Sequence, residues 1–213
     1  MRIERLYLDL DGTLIDSSTG ILRCIRYALD AMDIVAPGDR ELHDWIGPPL
    51  RSSFATLVGE NDADRAVNLY RQRYRDTGWL EFAVYPGIPE MLERLADSNI
   101  ELALATSKPR VFAERIVDSA DLAPTLSAVF AAELDGTRGD KAALLAHAEE
   151  ALGPKTAAML GDRRYDVQGA HANGLLAIGA GWGFASGSEL RVAGADIILQ
   201  KPLDLPQRLI QQA

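Results

Sequence analysis

The sequence predicts an α/β protein: a three-layer core with a mainly parallel sheet between helices, and a helical bundle inserted after the first strand. Three observations carry this. From Tyr85-Pro86-Gly87 onward, short apolar runs alternate with helical periodicity, the pattern of strands joined by crossover helices. At the start stands one isolated apolar strand, Leu6-Tyr7-Leu8, which needs parallel neighbours that only the later region supplies. Between the two, residues 17 to 80 contain nothing that reads as a strand. The expected division is therefore a core of residues 1–15 and 83–213 with a helical insertion of residues 16–82.

The elements follow in order. After the first strand, Ser17, Ser18 and Thr19 offer helix caps, and Ile21, Leu22, Ile25, Leu29 and Met32 recur at helical spacing. Residues 39–46 read as a short helix stopped by Gly47-Pro48-Pro49, a stiff turn. A third helix begins near Leu50. A fourth spans about 63–77, with Ala63, Ala66, Val67, Tyr70 and Tyr74 on one face. In the core, helices are expected at 88–98, 109–119, 140–152, 165–173, 187–193 and 204–212. Strands are expected at 100–106, 128–132, 156–160, 175–179 and 195–199. No repeat or low-complexity tract interrupts the chain.

Composition narrows the function. At 213 residues, 47% hydrophobic and 25% charged, the chain is that of an ordinary globular protein with one sizeable core. No run approaches the roughly 20 apolar residues of a membrane span, and Glu4, Asp9 and Asp11 break any signal-peptide core. A net charge of -9 argues against a nucleic-acid polymer or an anionic membrane as partner. The single Cys24 excludes an internal disulfide and fits a reducing compartment, so the cytoplasm is the expected location. A small phosphorylated molecule stays open as partner, since a few local cations and a metal can override the global sign; a monomer or homodimer is the expected assembly.

In open parallel sheets, ligands bind at the carboxyl ends of the strands, and four segments pass that test. The first strand runs into Asp9-Leu10-Asp11-Gly12-Thr13-Leu14, where Asp9 and Asp11, two apart, can address one reacting group. Adjacent carboxylates repel, and a divalent cation on hard oxygen ligands offsets that repulsion. Gly12 and Thr13 would bring backbone N–H groups and a hydroxyl to an anion. A later strand ends in Thr106-Ser107-Lys108, where hydroxyls and an ammonium can meet phosphate oxygens; a helix cap beside Pro109 is the plainer reading, and both can hold. Gly161-Asp162 ends another strand, and Asp166 opens the next helix near enough to share a cation with Asp162. Lys141 starts a helix, where a cation is opposed by the helix dipole, so its position suggests an acidic partner. It is one of four lysines against eighteen arginines.

These segments resemble, in order, the motifs of the haloacid dehalogenase superfamily, most of whose members are magnesium-dependent phosphatases with an aspartate nucleophile. The helical insertion is similar to that family's four-helix cap, and the implied core is Rossmann-like. Ile46-Gly47-Pro48-Pro49-Leu50, Tyr85-Pro86-Gly87, Thr106-Ser107-Lys108-Pro109 and Asp135-Gly136-Thr137-Arg138 look most like the phosphoglycolate phosphatase group, some members of which act on nucleotides.

The resemblance implies a division of roles. Asp9 would be the nucleophile and Asp11 the general acid and base. Mg2+ would be held by Asp9, the backbone carbonyl of Asp11, Asp162 and Asp166. Thr106 and Lys141 would bind phosphate, with Gly12, Thr13, Ser107 and Lys108 lining the phosphate site. Charge supports this set: three aspartates against Lys141 and a divalent cation sum to zero. Arg51 is a candidate for contacting the substrate beyond its phosphate, against the plainer reading of a solvated arginine. The run Arg71-Gln72-Arg73-Tyr74-Arg75 reads as a solvated face rather than a binding patch. Trp182, in Gly181-Trp182-Gly183 after a strand, either borders the site or packs. His43, His147 and His171 show no ligand spacing. A sugar-phosphate mutase keeps every core residue and remains a rival, as does a non-enzymatic binding module on the same scaffold. Asp11 argues against a dehalogenase.

Overall fold

The computed structural model describes residues 2–47 and 50–210; Pro48, Pro49 and residues 211–213, with the expectations that fall on them, lie outside. The strands are β1 (Arg5–Leu8), β2 (Ile15–Asp16), β3 (Ala83–Val84), β4 (Glu101–Pro109), β5 (Ala128–Ala132), β6 (Ala157–Gly161), β7 (Leu176–Ala180) and β8 (Ile197–Leu199). The helices are α1 (Ser18–Asp30), α2 (Asp39–His43), α3 (Leu50–Val58), α4 (Ala63–Asp76), α5 (Ile88–Asp97), α6 (Arg110–Ser119), α7 (Lys141–Leu152), α8 (Arg164–Ala172), α9 (Glu189–Val192) and α10 (Asp204–Ile210). The chain divides into two compact units, Met1–Asp16 with Val84–Ala213, and Ser17–Ala83.

The larger unit is built on a six-stranded sheet in the order β5-β4-β1-β6-β7-β8, parallel at every described pairing. The predicted α/β class is therefore the observed one. Its strands are apolar at consecutive positions because both faces are covered: Leu6, Leu8, Leu102, Leu104 and Leu160 are buried, and so are Tyr7, Ala103, Ala105 and Met159 between them. The second set packs with Leu144, Leu145 and Ala148 of α7 and with Val167 and Ala170 of α8. Right-handed crossovers put α5 and α6 on the opposite face, since the path β1-β4-β5 runs one way across the sheet and β6-β7-β8 the other. The reversal occurs at β1. A crevice opens at such a point between the carboxyl ends of the strands, and Asp9 follows β1 there.

At the opposite end of β1, Arg5 is fully buried. It donates to Glu101 at 2.7 Å, Glu149 at 3.1 Å and the carbonyls of Leu152 and Gly153 at 3.0 and 2.7 Å. Tyr7 adds a 2.6 Å bond to Glu149. Arg5, Tyr7 and Asp9 lie on one side of the strand by its two-residue period, so β1 is tied to α7 at both ends of that helix.

Three details depart from the sequence reading. The strand expected at 100–106 runs to Pro109, which precedes α6 instead of opening it. The helix expected at 39–46 ends at His43. The short strands β2 and β3 were not anticipated, because two residues leave no periodicity to detect.

In the smaller unit, Cys24, Ile25, Ala28 and Leu29 of α1 and Ala63, Ala66, Val67, Tyr70 and Tyr74 of α4 are buried, as a helical bundle requires. The run 71–75 is not wholly a solvated face: the Arg73 guanidinium turns inward to Glu81 at 2.8 and 3.0 Å and to the Cys24 sulfur at 3.2 Å. Arg23 also reaches Glu81, at 2.9 Å. Hydrogen bonds from Arg73, then Arg23, hold the Glu81 carboxyl below its ordinary range. A depressed carboxyl stabilises the fold above its unfolded pKa and loses that contribution as pH falls through its folded value. Glu81→Gln should therefore cost about 1–2 kcal/mol near pH 6. The gap between wild type and variant in urea midpoint should close on acidification; a gap unchanged at pH 3 would contradict it.

Candidate active site

The residues after β1 turn tightly. The N–H groups of Thr13 and Leu14 both bond the Leu10 carbonyl, at 3.2 and 2.9 Å, and Gly12 bonds Ile15 at 2.8 Å. Gly12 sits at φ +78°, and a Cβ there would run into the Asp162 carboxylate. The N–H groups of Gly12 and Thr13 are spent inside the turn, and the buried Thr13 hydroxyl donates to Asp162 Oδ1 at 3.2 Å. Both residues thereby shape the acidic site.

Neighbouring β1 and β6 bring Asp9 beside Asp162, and α8 adds Asp166. One carboxylate oxygen from each lies within 4.8 Å of the others. Asp162 is fully buried and Asp166 nearly so, whereas the Asp9 side chain keeps 13% exposure, enough to meet a ligand. Lys141, at the first turn of α7, places its ammonium 3.0 Å from Asp9 Oδ1 and 2.8 Å from Asp166 Oδ1, and donates to the Ala105 carbonyl at 2.8 Å. The partner its position called for is thus a carboxylate pair.

One ammonium against three buried carboxylates leaves a deficit of two positive charges. Its electrostatic signature is clear: burial, then the Asp166 charge, raise the Asp9 carboxyl to about 6 despite Lys141. Burial and the charges of Asp166 and Asp9 push Asp162 well above its ordinary value. Burial opposes the charge on Lys141, but Asp166 and Asp9 outweigh it and hold the ammonium protonated. Asp9 Oδ1 and Asp166 Oδ1 are buried with no hydrogen bond beyond their ion pairs. Hard oxygens and a two-charge deficit fit a divalent cation.

Asp11 lies outside that cluster. Because β4 stays extended past Thr106, Thr106 and Lys108 fall on one buried side and Ser107 on the exposed side. The Lys108 ammonium grips both Asp11 oxygens, at 2.8 and 2.7 Å. Thr106 accepts from the Lys108 N–H at 3.2 Å, and Ser107 donates to the Gly139 carbonyl at 2.9 Å. Arg51, in the smaller unit, is engaged by Glu60 at 2.8 Å and Asp64 at 3.0 Å, on an exposed face of that unit.

The sequence reading assigned Tyr85 no site role and left Trp182 between bordering the site and packing. Tyr85, whose N–H bonds the Leu14 carbonyl at 3.1 Å, lies among acidic groups; burial, then the charges of Asp16, Asp162 and Asp11, keep its phenol neutral. The loop after β7 donates the Trp182 indole N–H to the Thr13 carbonyl at 3.0 Å and the Phe184 N–H to Asp162 Oδ2 at 2.7 Å. A tryptophan between two glycines at a strand end was the only signal for that loop.

A parallel sheet with an acidic, lysine-balanced cluster at its switch point defines a class of phosphoryl-transfer hydrolases, and comparison with known proteins places the chain within it. Residues 6–180 match the haloacid dehalogenase-like hydrolase family. A 5'-nucleotidase of Pseudomonas aeruginosa is 42% identical over 90% of this chain and 88% of its own length. Tyrosine-protein kinase PtkA of Mycobacterium tuberculosis is 36% identical over 85% of this chain and 63% of its own. Phosphoglycolate phosphatase 1 of Pseudomonas aeruginosa is 28% identical over 96% and 79%. The crystal structure of a predicted phosphatase from Clostridium acetobutylicum superposes with a TM-score of 0.90 at 37% identity, covering 99% of this chain and all of that one. The chain belongs to the haloacid dehalogenase-like hydrolase family. It is a phosphoric monoester hydrolase, and among its described residues no helix is long and apolar enough to cross a membrane.

Proposed function

We propose that the protein is a Mg2+-dependent phosphatase of small phosphorylated metabolites, working through an aspartyl-phosphate at Asp9. The observation that carries this reading is the cluster of Asp9, Asp162 and Asp166 oxygens within 4.8 Å, with Asp9 its solvent-reaching member. An Asp9 oxygen bonds phosphorus as the bond from phosphorus to the leaving oxygen breaks, and Asp11 gives its proton to that oxygen. Asp11 then takes a proton from water, whose oxygen displaces Asp9 and releases inorganic phosphate. Asp9, Asp162, Asp166 and the Asp11 carbonyl would hold Mg2+, which when bound would supply positive charge against the transferring group. Lys141 balances Asp9 and Asp166, the Thr106 hydroxyl donates to a phosphate oxygen, and Ser107 borders the phosphate. Lys108 serves two partners: phosphate oxygens compete with Asp11 for its ammonium. The helical unit of residues 17–83 acts as the substrate-selecting cap, with Arg51 available once released from Glu60 and Asp64.

Phosphoglycolate-type monoesters and nucleoside 5'-monophosphates are the two substrate classes in view. The relative at 42% identity, named a 5'-nucleotidase, favours the nucleotide. Phosphate release from an aryl phosphate, phosphoglycolate, nucleoside monophosphates and a hexose phosphate, each with Mg2+ or with EDTA, tests the proposal. Mg2+-dependent release, fastest with a nucleotide, is expected. Isomerisation of the hexose phosphate without release, or no turnover of any ester, would overturn it.

A further inference from the structure

The loop that follows β7 has no place in the chemistry above, and it begins just beyond the segment that matches the family, residues 6–180. Its three residues nevertheless converge on one carboxylate. The Trp182 indole anchors the loop to the Thr13 carbonyl at 3.0 Å. Gly183 lies so close to the Gly12 carbonyl and the Asp162 side chain that a Cβ would collide with both. Phe184 then donates its backbone N–H to Asp162 Oδ2 at 2.7 Å, while Thr13 donates to Oδ1 at 3.2 Å. Both oxygens of a fully buried aspartate are thereby held by donors, one on the loop and one on the turn that the loop grips.

A carboxylate fixed in orientation before the cation arrives avoids the entropy of ordering it on binding. We propose that residues 182–184 form a clamp that preorganises Asp162 for a divalent cation, with Trp182 as a positioning residue that acts through the Phe184 N–H. This rests on the metal reading above and extends it to a loop that touches neither substrate nor cation.

The test is calorimetric titration of metal-free protein with MgCl2, alongside metal-free melting curves. Trp182→Phe keeps an aromatic ring and removes the N–H, so it should weaken Mg2+ binding about tenfold, the scale seen when outer partners of metal ligands are lost. Gly183→Ala, which forces the loop off Asp162 with Trp182 intact, should weaken it at least as much. A purely structural loop would lower the metal-free melting temperature and leave the Mg2+ dissociation constant within twofold of wild type in both variants; that result overturns the inference. Absence of Mg2+ binding to the wild-type protein overturns the metal reading itself, and the inference with it.

Discussion

Asp9→Asn will abolish turnover, by roughly 10⁴- to 10⁶-fold in kcat, the scale of loss when a covalent nucleophile is removed. The amide matches the carboxylate in size and cannot attack phosphorus. Nor should the loss come from unfolding. The Asp9 carboxyl is raised to about 6, mainly by burial and then by Asp166. A raised carboxyl favours the fold below its unfolded pKa and loses that contribution as pH rises through about 6, so near pH 7 the native state bears the cost of an ionised, desolvated group. Asparagine removes that cost. In EDTA the variant should melt at or above the wild-type temperature while releasing no phosphate. Wild-type phosphate release from Asp9→Asn would remove Asp9 from the chemistry, and a much lower melting temperature would show that the charge serves the fold.

The second large effect lies at the other end of the same strand. Arg5→Met should destabilise the protein by about 3–5 kcal/mol, the usual result of breaking a buried ion pair from one side. Methionine fills most of the volume but offers no donor. Glu149 keeps only its bond from Tyr7, Glu101 keeps Lys155 at 3.1 Å, and the carbonyls of Leu152 and Gly153 lose the guanidinium that closes the end of α7. Urea unfolding at neutral pH measures the loss. A cost under about 1 kcal/mol would mean that desolvation of Arg5 consumes nearly all that its bonds return. At temperatures where Arg5→Met remains folded, phosphatase activity should persist, because Lys141 and Asp9 meet at the opposite end of α7.

Much of this architecture was legible residue by residue. Leu102-Ala103-Leu104-Ala105 and Ala157-Ala158-Met159-Leu160 announce strands buried on both faces, and Tyr70 and Tyr74 announce the inner side of α4, because strand and helix periods are local properties. Asp9, Asp162 and Lys141 stood out for the same reason: each sits at an element boundary where a bare charge needs a partner. Other placements were not legible in the sequence. In the turn after Asp9, the N–H groups of Gly12, Thr13 and Leu14 close on Ile15 and Leu10. Lys108 looked like a loop residue, but β4 continues through it and delivers it to Asp11.

By itself, then, the sequence determined the fold class, the order of the motifs and the residue types at each strand end, since these follow from spacing and hydrophobic pattern along short stretches of chain. Only the tertiary structure decided which of those residues meet. The reversal of strand order at β1 puts β4 and β6 on its two sides, and so gives Asp11 to Lys108, Asp9 to Asp162 and Lys141, and Thr13 to Trp182. Such pairings depend on how crossover helices route the chain over the sheet and on which groups can share a dry interior, and no local period encodes either.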